Sequence, residues 1–190
     1  KPYIIHCNDW QAGLVSLLLD AHYRDYRHNG FYKTIHTVMT IHNLKYQGVF
    51  PKEMMDEIIG LSWEYFHPDG IEFHDKINFL KAGIAYSTRV TTVSKAYAEE
   101  IKTDFYGENL SGIIRRRSND LSGIVNGIDY ENNDPKTDKK IYANFDADNL
   151  DGKQKNKEML QKELGLNLAQ DTPLIGIISR LVDQKGIDLV

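Results

Sequence analysis

The chain has 190 residues, a length that fits one large domain or two smaller units. Apolar residues make up 41% and charged residues 26%, a balance that excludes wholesale disorder. The formal net charge of -4, from 23 Lys and Arg against 27 Asp and Glu, argues against the basic surface that nucleic-acid binding needs. The basic triplet at residues 115–117 is interpreted as a solvated helix face.

The single cysteine, Cys7, makes an internal disulfide impossible and favours a reducing compartment. It lies in an apolar run, so we expect it to be buried. No apolar stretch approaches the ~20 residues that a membrane helix needs, and the first residues do not resemble a signal peptide or an initiator methionine. We therefore expect a soluble cytoplasmic protein with no membrane partner, whose first residue is not the natural one.

Strands and helices are predicted to alternate along the chain. Apolar or β-branched runs predict strands at residues 3–9, 36–43, 89–94, 122–129 and 174–180, and because the runs scarcely alternate we expect burial on both faces. Apolar stripes predict helices at residues 11–21, 75–87, 95–105 and 153–164. Asn8 or Asp9 is placed to cap the first helix, and Gly165 ends the last. The fold class is therefore α/β, with a parallel sheet and flanking helices.

The stretch from Tyr130 to Asp151 is polar, contains Pro135 and shows no clean period. It is interpreted as a domain crossing or a long surface connection. Only one helix and one strand follow it, which is too little for a domain. We therefore expect one unit at residues 1–129 and a truncated second unit at residues 130–190.

Polar residues end each predicted strand. In open α/β sheets ligands bind outside the carboxyl ends of the strands, so these residues are expected to converge. The residues concerned are Asp9, His42, Asn43, Ser94, Asn126 and Arg180.

Arg180 and Lys185 are candidates for binding a diphosphate. Arginine can fork onto two phosphate oxygens, lysine adds a point charge, and Gly186 allows close backbone approach before a helix expected to begin at Ile187. The alternative is an exposed loop with two cations.

The other candidates each have a structural alternative. His42 is either a positioned polar group or an ordinary histidine at a strand end. Asn43 can donate and accept, as a sugar hydroxyl requires. Asp9 with Trp10 joins a carboxylate to an aromatic plane, although Trp10 could equally belong to the core. Asn126 could form only a turn with Gly127.

Several common sites are missing. There is no P-loop motif and no G-x-G-x-x-G after a strand, which disfavours P-loop kinases and dinucleotide dehydrogenases. The seven histidines contain no H-E-x-x-H, and one cysteine excludes a cysteine-rich zinc site, so no metal is expected. The "HPDGIEFHD" stretch is interpreted as a loop, and no G-x-S-x-G elbow supports a hydrolase serine.

Five stretches, in this order, resemble blocks of the bacterial glycogen synthases and plant starch synthases. They are "HCNDWQAGLVSLLL", "TIHNLKYQGVFP", "INFLKAGIAYSTRVTTVSKAYAEEI", "LSGIVNGID" and "ISRLVDQKGIDLV". The resemblance covers the whole chain. It implies a GT-B fold with two Rossmann-like domains, and retaining transfer of glucose from ADP-glucose to the non-reducing end of an α-1,4-glucan such as glycogen, without a metal or other cofactor.

The resemblance also implies roles for the candidate residues. His42 would contact the donor glucose near its 6-hydroxyl with Asn43 beside it, Asp9 would line the sugar subsites, and Asn126 would lie by the donor glucose. Arg180 and Lys185, followed by Gly186, would bind the diphosphate. Asn8 and Trp10 accompany Asp9 in the same block as substrate-binding residues.

The sequence also departs from the family pattern. Many bacterial members have His where Asn8 stands and a second His where Gln11 stands, which leaves acceptor preference open, and residues 23–33 are expected to form a longer connection. The family's "KTGGL" and "E-x-C-G-L" blocks are absent. We therefore expect residues 1–129 to be the later part of the N-terminal domain, residues 130–190 to be the crossing and the start of the C-terminal domain, and this segment alone to be inactive.

Three alternatives to this function remain at the level of sequence. The first is another GT-B nucleotide-sugar transferase, for example one like sucrose synthase. The second is a non-catalytic module that binds glucan or nucleotide. The third is a generic Rossmann dehydrogenase, which the missing glycine motif disfavours. Oligomeric state and the preference between ADP-glucose and UDP-glucose are left open.

Overall fold

The computed structural model describes residues 3–24 and 30–190, and the chain divides into two compact units, Lys1–Asn126 and Gly127–Val190. The connection expected at residues 23–33 falls partly on residues 25–29, which lie outside the described residues. The assignment of residues 1–129 and 130–190 to two GT-B domains stays a prediction.

The first unit contains most of the regular structure. In chain order it consists of β1 (Ile4–Asn8), α1 (Leu14–Leu18), β2 (His36–Ile41), β3 (Val49–Pro51), β4 (Glu72–Phe73), β5 (Lys76–Asn78), α2 (Phe79–Tyr86), β6 (Arg89–Thr92), α3 (Lys95–Glu100), α4 (Ser111–Arg116) and β7 (Leu121–Gly123). Turns of 3-10 helix occur at Trp10–Ala12, Phe31–Thr34, Trp63–Tyr65 and Ser118–Asp120, and π-helical turns at Leu19–Tyr23 and Met55–Ile59.

The main sheet has the order β1-β2-β6-β7, and all neighbouring strands are parallel. Cys7 lies opposite Met39, Met39 opposite Val90, and Val90 opposite Leu121. Helices separate the successive parallel strands, as a parallel connection requires. The predicted α/β fold with a parallel sheet is confirmed.

Burial differs between the inner and the outer strands of this sheet. In β2, Met39 and Ile41 are fully buried, whereas in β1 the side chain of Ile4 is 62% exposed. The prediction that every strand is buried on both faces is therefore wrong for β1 and β7. Both lie at the edges of the sheet, where only one neighbouring strand covers them.

Two groups of buried apolar side chains form the core of the first unit. One packs against the main sheet and includes Met39, Leu80 and Val90, together with Cys7. The other surrounds Leu17 and includes side chains around the smaller sheet. Burial of Cys7 is confirmed, and the desolvation raises the pKa of its thiol.

A small antiparallel sheet with the order β3-β5-β4 was not predicted. It corrects the helix expected at residues 75–87, because Lys76–Asn78 forms its central strand. The helix α2 begins only after Asn78, whose side-chain oxygen accepts a hydrogen bond from the Lys81 amide at 2.9 Å. Asparagine in this position stabilises a helix start.

Two other predicted helices are shorter or less regular than expected. Residues 11–21 form a 3-10 turn, the short α1 and a π-helical turn, and neither Asn8 nor Asp9 caps them through its side chain. The helix α3 ends at Glu100 and not at residue 105. Its start is capped by Ser94, whose hydroxyl accepts from the Tyr97 amide at 2.9 Å.

The basic triplet is only partly a solvated helix face. Arg115 and Arg116 form exposed ion pairs with Asp104 and Asp69. The Arg117 guanidinium instead donates to the main-chain carbonyls of residues 84, 85, 87 and 88. Residues 84 and 85 belong to the last turn of α2 and residues 87 and 88 follow it, so Arg117 satisfies acceptors that the helix end leaves open.

The second unit contains one regular helix, α5 (Asp151–Glu163), close to its predicted bounds. The predicted strand at residues 174–180 is not a strand, and the one at residues 122–129 is reduced to β7. Within the described part of the chain, residues 174–180 pair with no strand, and Ile175 and Ile178 are 84% and 103% exposed. A strand needs a neighbour to satisfy its backbone, which explains the difference.

Candidate functional site

The candidate site lies at the carboxyl edge of the main sheet. Asp9 directly follows β1, and His42 directly follows β2. Ser94 lies two positions after the end of β6. The Asp9 amide donates to the Thr40 carbonyl at 3.0 Å, and the Ile124 amide donates to the Thr92 carbonyl at 2.8 Å. These main-chain hydrogen bonds continue the parallel pairing past the ends of the strands. The polar residues that follow the strands therefore lie at the same edge of the sheet.

The chain after β7 passes directly against the end of β6. A Cβ atom on Gly123 would lie 2.2 Å from the Ser94 carbonyl oxygen, so only glycine allows this approach. Asn126 follows three positions later and is exposed. His42 and Asn126 therefore both follow strands whose carboxyl ends form one edge.

His42 is hydrogen-bonded to Asn8, the last residue of β1, and to Asp9, which follows it. Its main-chain amide donates to the Asp9 Oδ1 atom at 2.8 Å, and its ring Nε2 lies 2.9 Å from the Asn8 Oδ1 atom. The ring itself is exposed. The arrangement fixes both the backbone and the imidazole of His42 from β1.

Asp9 has a backbone conformation that is unusual for a residue with a side chain. Its φ is 54° and its ψ is -173°. Such conformations cost about 1–3 kcal/mol and cluster at functional sites. The carboxylate turns towards His42 and not into the following helix, which is why Asp9 does not cap that helix.

The turn that carries His42 and Asn43 is anchored by a tyrosine that the sequence did not single out. The Tyr97 hydroxyl accepts a hydrogen bond from the Leu44 amide at 3.1 Å, and Leu44 is fully buried. Burial raises the pKa of the Tyr97 phenol. The Asn43 side-chain oxygen accepts from the Lys45 amide at 3.1 Å.

A buried amide pair fixes the other end of this turn. Asn78 donates to the Gln47 side-chain oxygen at 2.6 Å, and the Gln47 amide group donates to the Glu108 carbonyl at 2.9 Å. Both amide side chains are buried. The segment that carries His42 and Asn43 is thus fixed on one side by Tyr97 of α3 and on the other by Asn78, which caps α2. These contacts join positions far apart in the chain, and no local sequence pattern predicts them.

Trp10 packs in the first unit instead of standing free at the edge. Its ring lies 5.8 Å from that of Phe50 and 6.5 Å from that of Phe79, measured between centroids. A Cβ atom on Gly48 would approach the Trp10 ring to 2.4 Å. Of the two interpretations from sequence, the structure places Trp10 against the core, half-buried.

Arg180, Lys185 and Gly186 belong to the second unit. Arg180 and Lys185 are exposed, and Gly186 has a φ of 63° and ends the 3-10 turn Asp183–Lys185. The helix expected at Ile187 is a single 3-10 turn, Ile187–Leu189. It offers too few aligned peptide groups for a helix dipole, so any anion binding here depends on the two cationic side chains.

Residues 3–24 and 30–190 contain no group of three or more His, Cys, Asp or Glu side chains arranged to hold a metal ion. His74 and Asp75, from the "HPDGIEFHD" stretch, have positive φ values and join β4 to β5. In the same described residues, no helix combines the length and the apolar character needed to cross a membrane.

A sequence profile described as starch synthase catalytic domain matches residues 1–116. The chain belongs to this family. Starch synthase catalytic domains adopt the α/β GT-B fold that the sequence predicted, and the fold of this chain is similar to that of a solved member. The catalytic domain of starch synthase IV from Arabidopsis thaliana, bound to ADP and acarbose, has a TM-score of 0.89 and 39% sequence identity, covering 100% of this chain and 38% of that one.

The chain is also similar to curated bacterial glycogen synthases. That of Clostridium acetobutylicum is 52% identical over 190 residues, and that of Lachnospira eligens is 53% identical over 191 residues. The match covers 100% of this chain and 39% of each relative. The chain thus spans well under half the length of the curated relatives it matches.

Proposed function

We propose that the intact protein is a glycogen or starch synthase, which transfers glucose from ADP-glucose to the non-reducing end of an α-1,4-glucan with retention of configuration. The observation that carries the proposal is the likeness to glycogen synthases over the whole chain at 52–53% identity. The similar Arabidopsis domain bound to ADP and acarbose supports a nucleotide and a sugar as ligands. Residues 1–190 supply part of the site and are inactive alone.

The proposed chemistry assigns the residues of the carboxyl edge to the sugar. His42, Asn43 and Asn126 bind hydroxyls of the donor glucose, and Asp9 lines the sugar subsites while it holds the His42 amide. Groups fixed before the reaction reduce the entropic cost of orienting the substrate. The anchoring of the His42 turn by Tyr97 and its neighbours suits this role.

Arg180 and Lys185, with Gly186 beside them, are proposed to bind the diphosphate. When the nucleoside diphosphate leaves, negative charge builds on phosphate and positive charge on the sugar ring. Fixed cations stabilise that state more than the ground state, and loss of one such group typically costs ~10²–10³ in rate. No protein nucleophile is assigned, and no metal or other cofactor is invoked. We place the reaction in the cytoplasm, with no nucleic-acid or membrane partner.

The test is glucose incorporation into glycogen by the intact protein, with ADP-glucose and UDP-glucose compared. We expect incorporation that a chelator leaves unchanged, and a loss of ~10²-fold or more in kcat/KM for His42→Ala and Arg180→Ala. His36→Ala is the matched control, because His36 is exposed at the opposite end of the same strand. It should keep full activity.

Other outcomes would favour the alternatives. Binding of glycogen in affinity electrophoresis without any turnover would indicate a glucan-binding module. Transfer to a small sugar and not to glycogen would indicate a different nucleotide-sugar transferase. Turnover by residues 1–190 alone, comparable to that of the intact protein, would contradict the proposal that the segment is insufficient.

A further inference from the structure

The contact between Asn8 and His42 bears on which ring nitrogen of His42 carries the proton. The Asn8 Oδ1 atom is a carbonyl oxygen and can only accept a hydrogen bond. It lies 2.9 Å from His42 Nε2, and this contact is a hydrogen bond only when Nε2 donates. In a neutral imidazole the other nitrogen, Nδ1, is then unprotonated and can only accept.

His42 Nδ1 is thus left as an acceptor at the site. Among residues 3–24 and 30–190 it makes no hydrogen bond, and the ring is exposed. A ligand that meets Nδ1 must therefore donate, as a hydroxyl group does. A ligand that offers only a carbonyl or phosphate oxygen would meet a lone pair and be disfavoured.

The contacts of His42 disfavour a flip of its imidazole ring. Asn8 is the last residue of β1, where it lies opposite Thr40 of β2. The next residue, Asp9, binds the His42 amide at 2.8 Å, so the backbone of His42 and its ring are held from the same strand end. A ring flip would bring the unprotonated Nδ1 against the Asn8 oxygen, two acceptors in contact.

We propose that Asn8 is a positioning residue that acts through His42 and does not bind sugar itself. It keeps Nε2 protonated, so that Nδ1 accepts a hydrogen bond from a hydroxyl of the bound sugar. The identity of the ligand as a sugar rests on the proposed function, whereas the protonation of His42 does not. The sequence offered Asn8 as a helix cap, and the family resemblance implied a direct substrate contact.

The test measures the ¹⁵N signals of the two ring nitrogens of His42 by nuclear magnetic resonance, in the intact protein with ¹⁵N-labelled histidine. The His42 signals are assigned as those that disappear in His42→Gln. At a pH where the ring is neutral, Nε2 should give the protonated type of signal and Nδ1 the unprotonated type. In Asn8→Ala the two forms should mix. In Asn8→Asp, measured in alkaline buffer because a carboxylate raises the pKa of a neighbouring histidine, the original form should return.

Two controls accompany this experiment. His6 serves within each sample, because its Nε2 contacts the Thr40 hydroxyl at 2.6 Å and its signals should not change in Asn8→Ala. Asn119→Ala is the matched variant, since Asn119 is exposed and lies just before β7, at the opposite edge of the sheet. We expect kcat/KM for ADP-glucose to fall about three- to tenfold in Asn8→Ala, the effect of one hydrogen bond, and to be unchanged in Asn119→Ala.

A proton on Nδ1 of His42 in the unaltered protein would overturn the proposal. So would an unchanged His42 spectrum in Asn8→Ala. If the protein transfers no glucose but His42 shows the expected protonation, the proposed function fails and the role of Asn8 stands. If glucose is transferred but the spectrum is reversed, only the role of Asn8 fails.

Discussion

At the scale of single residues, the site depends on groups that satisfy one another's hydrogen bonds. Asp9 adopts a conformation that costs about 1–3 kcal/mol, and its amide and carboxylate are tied to Thr40 and His42. Tyr97 supplies the acceptor for the amide of Leu44, which is fully buried. Removal of such a partner leaves a polar group in the core without a hydrogen bond.

Tyr97→Phe should therefore destabilise the first unit. The buried Leu44 amide loses its acceptor, which costs about 1–3 kcal/mol, and urea unfolding should show a lower midpoint. Tyr86→Phe is a suitable comparison, because this half-buried phenol makes no hydrogen bond among the described residues. Unchanged unfolding in Tyr97→Phe would argue against the anchoring role.

The same phenols predict how stability depends on pH. Burial raises the pKa of Tyr86 and Tyr97 in the folded state, so their neutral form is favoured there. Their contribution is complete below about pH 10, the unfolded value, and is lost as the pH rises through the folded value. We expect unfolding free energy to fall in this alkaline range, and to fall less in Tyr86→Phe. An equal decline in the variant would contradict this.

At the scale of elements, close packing of α1 against α2 shapes the first unit. A Cβ atom on Gly13, just before α1, would lie 2.1 Å from the Phe79 carbonyl oxygen. Gly83 of α2 faces it, with a Cβ position 3.2 Å from the Gly13 Cα atom. Two glycines thus allow the backbones to approach. The apolar stripe within residues 11–21, formed by Leu14, Leu17, Leu18 and Ala21, predicted only that a helix would form.

Gly13→Ala should destabilise the fold, because the added methyl group would overlap the main-chain carbonyl of Phe79, which cannot move without shifting α2. We expect a loss of about 1–3 kcal/mol, the usual range for overpacking, in thermal or urea unfolding. Gly112→Ala in α4 is the matched control, since nothing lies within 4 Å of its Cβ position. It should be neutral or stabilise by about 0.4–1 kcal/mol. Equal stability of the two variants would refute the packing argument.

At the scale of the whole molecule, the two units differ in how well they bury their apolar residues. The first unit has two buried clusters, whereas Ile175, Ile177 and Ile178 in the second are 84%, 54% and 103% exposed. β-branched residues favour strands that are at least half-buried. We infer that residues 174–180 become a strand only where other strands can pair with them.

Hydrogen exchange measured by mass spectrometry can test this inference. In residues 1–190 produced alone, amides of residues 174–180 should exchange as fast as those of an unstructured peptide, while β2 and β6 are protected. In the intact protein, the same peptide should be protected as a paired strand is. Fast exchange of residues 174–180 in both samples would contradict the inference.

The sequence by itself determined the α/β class, the order of most strands and helices, and the convergence of Asp9 and His42 at one edge of the sheet. Buried strands and their polar ends are local patterns, and parallel pairing then sets the edge. Only the tertiary structure decided the antiparallel sheet at β3, β4 and β5, the capping of α2 by Arg117 and the contact of Asn8 with His42. Each joins short segments far apart in the chain, and such contacts depend on packing geometry that no local pattern encodes.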